Sequence, residues 1–268
     1  MEPIFKDFAI DLAGKAGEIM RTNFALGMKR EWKKDSSPLT ETDKAINNLV
    51  INSIKTNYPD HSIIAEEGSH ILKNSEYVWV CDPVDGTFPF SHGYPCFVFS
   101  LALTKNGEGI LGVLYDPIMD RLFYAQYNEP TTLNNKTIRV SKQTNIKDSV
   151  IDCVSWFGAR YDLFAFQRLN ASFGGHNSSL MSVCYSASLV TCGEFIATIY
   201  PDKNPWDGAA VKMIVNNAGG KVTDLFGNEQ RYDQEIKGFI ASNGLVHDQI
   251  VELVQSSIRN TSNLRGLV

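Results

Sequence analysis

Nowhere in the 268-residue chain do apolar residues run unbroken for the roughly 18 positions that a membrane helix needs. The opening MEPIFKDFAIDLAGKAGEIM interleaves apolar and charged residues where a secretory signal requires a continuous apolar core, so the expected location is the cytoplasm. An excess of positive charge is also missing: 25 Lys and Arg face 30 Asp and Glu, a net charge of −5. That balance excludes the basic footprint of a general nucleic-acid binder. The cysteines (Cys81, Cys96, Cys153, Cys184, Cys192) are odd in number and contain no CxxC, which fits buried free thiols better than a disulfide framework. The five histidines show no HxxxH or HxxE spacing, so neither a structural zinc nor a helix-borne zinc hydrolase is indicated. GxSxG and GxxxxGK[ST] are absent too, and with them the sequence support for a serine-hydrolase elbow or a P-loop; the GxGxxG spacing of Gly107 to Gly112 runs into the strand expected over Gly109 to Tyr115 and not into a helix, so a dinucleotide fold is not indicated either. No Pro/Gly/Ser linker, repeat or low-complexity tract divides the chain. The expectation is a single domain over 1–268, with an N-terminal α+β half to about 145 and a C-terminal α/β half from about 146.

What is present is a change of period. Phe5, Phe8, Ala9, Leu12, Ala16, Ile19 and Met20 recur at three and four and predict an amphipathic helix over the first two dozen residues. The turn composition of Lys33 to Pro38 follows, then Thr40 with Asp43 three later, the pattern of a capping box opening a second helix. From there the runs read as strands: Ser62 to Glu66, Tyr77 to Asp82, Phe97 to Thr104, Gly109 to Tyr115 and Arg121 to Tyr127, the last two joined as an antiparallel meander by Asp116-Pro117. The second half alternates. Strands are expected near Val150 to Trp156, Phe195 to Tyr200, Lys221 to Leu225 and Gly238 to Ala241. Helices are expected near Tyr161 to Asn170, Val183 to Cys192, Asp207 to Asn217 and Val246 to Ile258. The fold class is therefore layered α/β.

The densest chemical signal is Asp82-Pro83-Val84-Asp85-Gly86-Thr87, where an apolar strand delivers two carboxylates to a turn. Pro83 stiffens that turn, Gly86 lets a ligand approach the backbone, and the N–H groups beyond it suit an anion. Glu66-Glu67, Asp207 after Pro205-Trp206, and Asp43 after Thr40 also place carboxylates at the ends of apolar elements. Each alone has an ordinary structural reading: a solvated turn, a strand end, a helix N-terminal charge, a capping box. Brought together, they form a set of like charges that hard divalent cations compensate.

These runs, followed by Ala218-Gly219-Gly220 and Ala241-Ser242-Asn243-Gly244, resemble the inositol monophosphatase family of magnesium-dependent, lithium-inhibited phosphatases, in the family's order and over most of the chain. The resemblance implies a five-layer α-β-α-β-α sandwich and a homodimer acting on a small phosphorylated metabolite. It implies two or three Mg²⁺ ions: one on Glu66, Asp82 and the Val84 carbonyl, a second on Asp82, Asp85 and Asp207, and a weaker third touching Glu66. Gly86 and Thr87 are expected to offer N–H groups to the phosphate. Thr87, Asp43 and Glu66 are expected to act on the attacking water, with Asp85, Ser182 and Asp207 on the substrate side. Either Lys33 or Lys34 stands near the family's lysine on the loop before Asp43.

The chain departs from the family pattern in three places. Phe88-Pro89-Phe90 replaces a residue followed by Asn-Phe, so the helix start after Thr87 is expected to be altered. Tyr200, seven residues before Asp207, stands where the family has its inositol-binding glutamate, and its own reading is either core or a substrate-stacking aromatic. Met181-Ser182-Val183 replaces Gly-Ser/Thr-Ala, with Ser178 near a common arginine. The expected activity is hydrolysis of a phosphate monoester by activated water without a covalent intermediate. Inositol phosphate, a sugar phosphate such as fructose bisphosphate, histidinol phosphate and nucleotides remain as substrate classes. A non-catalytic regulatory protein on the same fold is the rival reading.

Overall fold

Helix α1 (Pro3–Asn23) is held by the apolar stripe that its spacing predicts, with Ala9, Leu12, Ala13, Ala16 and Met20 buried. Two short strands, β1 (Glu31–Trp32) and β2 (Pro38–Leu39), pair antiparallel after it. Helix α2 (Glu41–Asn57) then opens on the expected capping box: the Thr40 hydroxyl accepts from the Asp43 N–H and the Asp43 carboxylate accepts from the Thr40 N–H. The computed structural model describes residues 3–33, 37–72, 74–156 and 158–264. Lys34, one of the two candidate lysines, lies outside them.

α1 and α2 cover one face of a seven-stranded sheet. Its strands are β3 (Ser62–Ala65), β4 (Tyr77–Asp85), β5 (Val98–Lys105), β6 (Glu108–Asp116), β7 (Arg121–Gln126), β8 (Thr132–Leu133) and β9 (Lys136–Thr137), in that spatial order. β3 and β4 are parallel; the others form an antiparallel meander. Along β5, Phe99, Leu101 and Leu103 pack toward α1 and α2, whereas Val98 and Ala102 join the core on the opposite face. Burial on both faces explains why this strand reads as a continuous apolar run. The short helix α3 (Thr87–Ser91) lies between β4 and β5.

The second sheet contains β10 (Val150–Cys153), β11 (His176–Ser178), β12 (Ala197–Tyr200), β13 (Lys221–Thr223) and β14 (Phe239–Ser242), in the order β11-β10-β12-β14-β13. Helix α4 (Phe164–Ser172) and helix α7 (His247–Leu264) cover its outer face. Helices α5 (Val183–Thr191) and α6 (Ala209–Asn217) fill the space between the two sheets. The result is the expected α-β-α-β-α layering. At Gly112 of β6, an added Cβ would stand 2.9 Å from Met213 Cβ and 3.0 Å from the Ala210 carbonyl oxygen, so α6 reaches the sheet only because a side chain is missing there.

Several boundaries differ from the sequence reading. β4 runs on through Pro83 to Asp85 instead of stopping at Asp82. α4 starts at Phe164, where the Asp162 carboxylate accepts the Phe164 N–H at 3.0 Å. Asp207 ends a short 3-10 helix (Pro205–Asp207) ahead of α6. β11, with the sequence His-Asn-Ser at the sheet edge, carries no apolar period to announce it. The five cysteines are free, Cys81, Cys153 and Cys184 buried and Cys96 and Cys192 half-buried.

His247 opens α7 in a fully buried position, with Nε2 2.9 Å from Thr223 Oγ1 and Nδ1 2.8 Å from Ser242 Oγ. Burial, helped by Lys221, pushes its pKa down to about 4, against roughly 6.5 in an unfolded chain. The folded state thus binds fewer protons between those values, and stability falls as pH drops through that window. The advantage of wild type over His247→Gln in urea unfolding is expected to shrink by up to about 3 kcal/mol from pH 7 to pH 4. A difference independent of pH would remove this account.

Candidate active site

The site begins with an irregularity in β4. Asp82 pairs with Ser100 and Asp85 with Val98, so three steps along β4 match two along β5. That bulge falls where Pro83 has no N–H to give the ladder. A bulge re-aims side chains, and this one leaves both aspartates and the Val84 carbonyl at the floor of a cleft of about 660 Å³. Asp82 Oδ1 accepts the Val84 N–H at 2.9 Å, fixing the turn. Gly86 then adopts φ +91°, the left-handed region, and α3 follows. Pro89 occupies the first turn of α3, where an N–H has no intrahelical acceptor to lose.

The other half of the molecule supplies the remaining groups. Asp207, at the end of the short 3-10 helix, brings a carboxylate from the α6 side, so that oxygens of Asp82, Asp85 and Asp207 lie within 4.8 Å of one another. Asp85 Oδ2 is anchored to α5: it accepts the N–H groups of Cys184 at 3.0 Å and Tyr185 at 3.3 Å, as well as the Ser182 hydroxyl. Ser182 is therefore turned to Asp85, while its neighbours Met181 and Val183 line the cleft. Tyr200 is buried, as its core reading expects, and also lines the same cleft. Asn204 and the N-terminal turn of α5 also belong to the site. Sequence reasoning singled out Met181-Ser182-Val183 but missed Asn204 and the α5 N–H groups of Cys184 and Tyr185, since neither carries a charge or a motif.

Asp43 and Thr87 meet at the α2 side. The Thr87 hydroxyl stands 3.1 Å from Asp43 Oδ1 and 3.0 Å from the Val84 carbonyl oxygen. Asp43 thus caps α2 with one oxygen and faces Thr87 with the other. Lys33, the described candidate, donates to Glu66 Oε1 at 2.7 Å and to Glu67.

Burial and mutual repulsion dominate the electrostatics. Asp82 is pushed well above the ordinary carboxylate range by burial, then by Glu66, Asp85 and Asp207. Asp207 is raised for the same reasons, burial first and Asp85 next. Asp85 rises by burial to about 6, held back by its Ser182 and α5 hydrogen bonds. Glu66 rises by burial to about 7 although Lys33 opposes the shift, and Asp43 is raised by burial against the bonds from Thr40 and Thr87. Among the described residues, no basic side chain forms an ion pair with Asp82, Asp85 or Asp207. Three buried, unpaired carboxyls with oxygens this close fit a hard divalent cation, which relieves both the desolvation and the repulsion.

A layered α-β-α-β-α sandwich with carboxylates from both halves converging in a cleft defines a phosphatase of the sugar-phosphatase architecture. The comparisons make the family specific: the model described as "Inositol monophosphatase family" matches residues 4–259, and the chain belongs to that family. It is 34% identical over 254 residues to the fructose-1,6-bisphosphatase/inositol-1-monophosphatase of Thermotoga maritima, covering 94% of this chain and 96% of that protein. It is 32% identical over 237 residues to the Nus factor SuhB of Vibrio cholerae, covering 85% and 87%. Among solved structures, an IMPase from Thermotoga maritima superposes with a TM-score of 0.86 at 32% identity, over 95% of this chain and 98% of that one.

Proposed function

We propose that this chain is a magnesium-dependent phosphatase that hydrolyses a small phosphate monoester by direct attack of water, acting as a single domain. The observation that carries the reading is the convergence of Asp82, Asp85 and Asp207, buried and free of ion pairs among the described residues. Those three, with Glu66 and the Val84 carbonyl, would hold two or three Mg²⁺ ions. Bound there, Mg²⁺ supplies the positive charge that neutralises the phosphate and acidifies water.

The chain's own groups do the rest. The N–H groups of Gly86 and Thr87 face the phosphate. The Thr87 hydroxyl, within reach of Asp43, orients the attacking water and passes its proton toward Asp43, whose raised pKa suits it to accept one. Ser182 and the start of α5 keep Asp85 aimed at the cluster, and Lys33 holds Glu66 beside it. Asp43→Asn is expected to lower kcat about 10²- to 10⁴-fold, the usual span for a lost general base. Turnover within tenfold of wild type would remove Asp43 from the proton path.

Family membership further supports a cytoplasmic homodimer inhibited by lithium; among the described residues no helix is long and apolar enough to cross a membrane. Relatives named Nus factor SuhB support a second reading, a regulatory binding protein on this fold. The test is phosphate release from inositol, sugar, histidinol and nucleotide phosphates with and without Mg²⁺. Magnesium-dependent release is the expected result. No release from any of them, with Mg²⁺ binding intact, would favour the regulatory reading.

A further inference from the structure

The first turn of α5 gives its N–H groups to Asp85, yet α5 belongs to the other half of the molecule. Val183, Ala187 and Val190 of that helix are buried between the sheets, an attraction without direction that resists separation more than rotation. Rotation is what the site must prevent. The Tyr185 N–H reaches Asp85 Oδ2 at 3.3 Å, just beyond the usual span of about 2.7–3.2 Å, so a small tilt of the turn breaks it.

A polar tie from the first sheet opposes that tilt. Asp116, at the end of β6, is fully buried. Its Oδ1 accepts the N–H groups of Ile118 at 2.9 Å and Met119 at 3.0 Å, and its Oδ2 accepts Arg121 Nε at 3.0 Å and Nη2 at 2.6 Å. α1 pins the same turn, where Arg21 donates to the Pro117 carbonyl at 3.3 Å. The Arg121 guanidinium is therefore fixed in plane and direction. Its Nη2 also donates to the Tyr185 hydroxyl at 2.8 Å, and its central carbon stands 5.2 Å from the centre of the Tyr185 ring. From the second sheet, Asp152 of β10 accepts the Leu180 N–H at 3.0 Å. One sheet thus holds the chain as it enters α5, and the other holds the turn that follows.

We propose that Arg121 and Tyr185 are positioning residues for the cation site: Arg121, locked by Asp116, fixes the first turn of α5 through the Tyr185 hydroxyl and so keeps Asp85 aimed at an ion shared with Asp82 and Asp207. This rests on the metal-dependent phosphatase reading above. Arg121 acts by geometry and not by charge, since its charge alone would repel the ion. Two charge-preserving variants separate the causes. Tyr185→Phe removes only the hydroxyl, and Arg121→Lys replaces the planar fork with a single flexible ammonium that cannot hold Asp116 and Tyr185 in one fixed geometry.

The test uses the full chain with two readouts. Thermal melts over a Mg²⁺ series give the dissociation constant, and phosphate release from inositol, sugar, histidinol and nucleotide phosphates gives the Mg²⁺ needed for half the maximal rate. Each variant is expected to raise both quantities about 3- to 30-fold, the range for residues one contact removed from a ligand's own partners. KM for the ester measured at saturating Mg²⁺ should stay within about twofold of wild type, because uniform substrate binding is untouched. The metal-free melting temperature of Tyr185→Phe should stay within about 2 °C of wild type. The double variant should lose no more Mg²⁺ affinity than the weaker-binding single variant, since both act through one bond. A change in Mg²⁺ dissociation constant below threefold in Tyr185→Phe, additive losses in the double variant, or lower metal-free stability with an unaltered Mg²⁺ increment overturns the positioning role. If wild type is stabilised by Mg²⁺ but releases phosphate from no ester, the phosphatase reading falls alone and the melts decide this inference. Wild type without Mg²⁺ stabilisation overturns both.

Discussion

Asp82→Asn is expected to lower kcat by about 10³-fold, the upper end of what losing one preorganised electrostatic group costs, without weakening the metal-free protein. The two halves of that expectation have one cause. Burial, Glu66 and the neighbouring aspartates already push Asp82 well above the ordinary carboxylate range, so in the absence of metal its charge is disfavoured and losing it costs the fold little. Asparagine has the same shape and can keep the bond from the Val84 N–H. What it removes is the charge that a cation would use. Wild type should gain about 2.7 kcal/mol from Mg²⁺ at a hundred times its dissociation constant, and the variant much less. Phosphate release and melting curves with and without Mg²⁺ check both arms. Activity near wild type, or an equal Mg²⁺ stabilisation in the two proteins, would show that Asp82 is not part of a cation site.

Gly86→Ala is expected to destabilise the fold by about 2–4 kcal/mol and to abolish turnover. Two penalties add. The residue has φ +91°, where a Cβ is strained. That Cβ would also stand 2.7 Å from Ser182 Cβ and 2.8 Å from the Cys96 carbonyl oxygen, and the backbone oxygen has little room to give. Relief would have to come from moving Ser182, the residue whose hydroxyl holds Asp85. Urea unfolding measures the first effect and phosphate release the second. A variant within 1 kcal/mol of wild type, by the same overpacking reasoning, would mean the turn is more compliant than its contacts allow.

The helices were legible in proportion to how one-sided their burial is. α1 and α2 each bury one stripe, and the Thr40 to Asp43 box marks where α2 begins. The double-faced burial of β5 left a readable apolar run, while β11 at the sheet edge left none. The Asp82 to Thr87 motif announced carboxylates and a turn, but not that β4 would continue through a proline, because a bulge depends on the partner strand and not on local composition. Long-range partners were hidden in the same way. Nothing near Ser182, Cys184 or Tyr185 indicates that they grip Asp85 from about a hundred positions away, since an N–H donor has no sequence signature. Asp43 was visible twice, as a cap and as a carboxylate, and one oxygen for each role reconciles the two.

The missing side chain at Gly112 turns core packing into a gauge for the active site. α6 leaves directly from the short helix that carries Asp207 and seats against β6, two strands across from the β4 aspartates. Anything that spaces α6 from the sheet lengthens the gap between Asp207 and Asp82, even when it sits on the far side of the layer. Affinity for a small ion therefore works as a ruler laid between the two sheets, sensitive to displacements too slight to alter the fold.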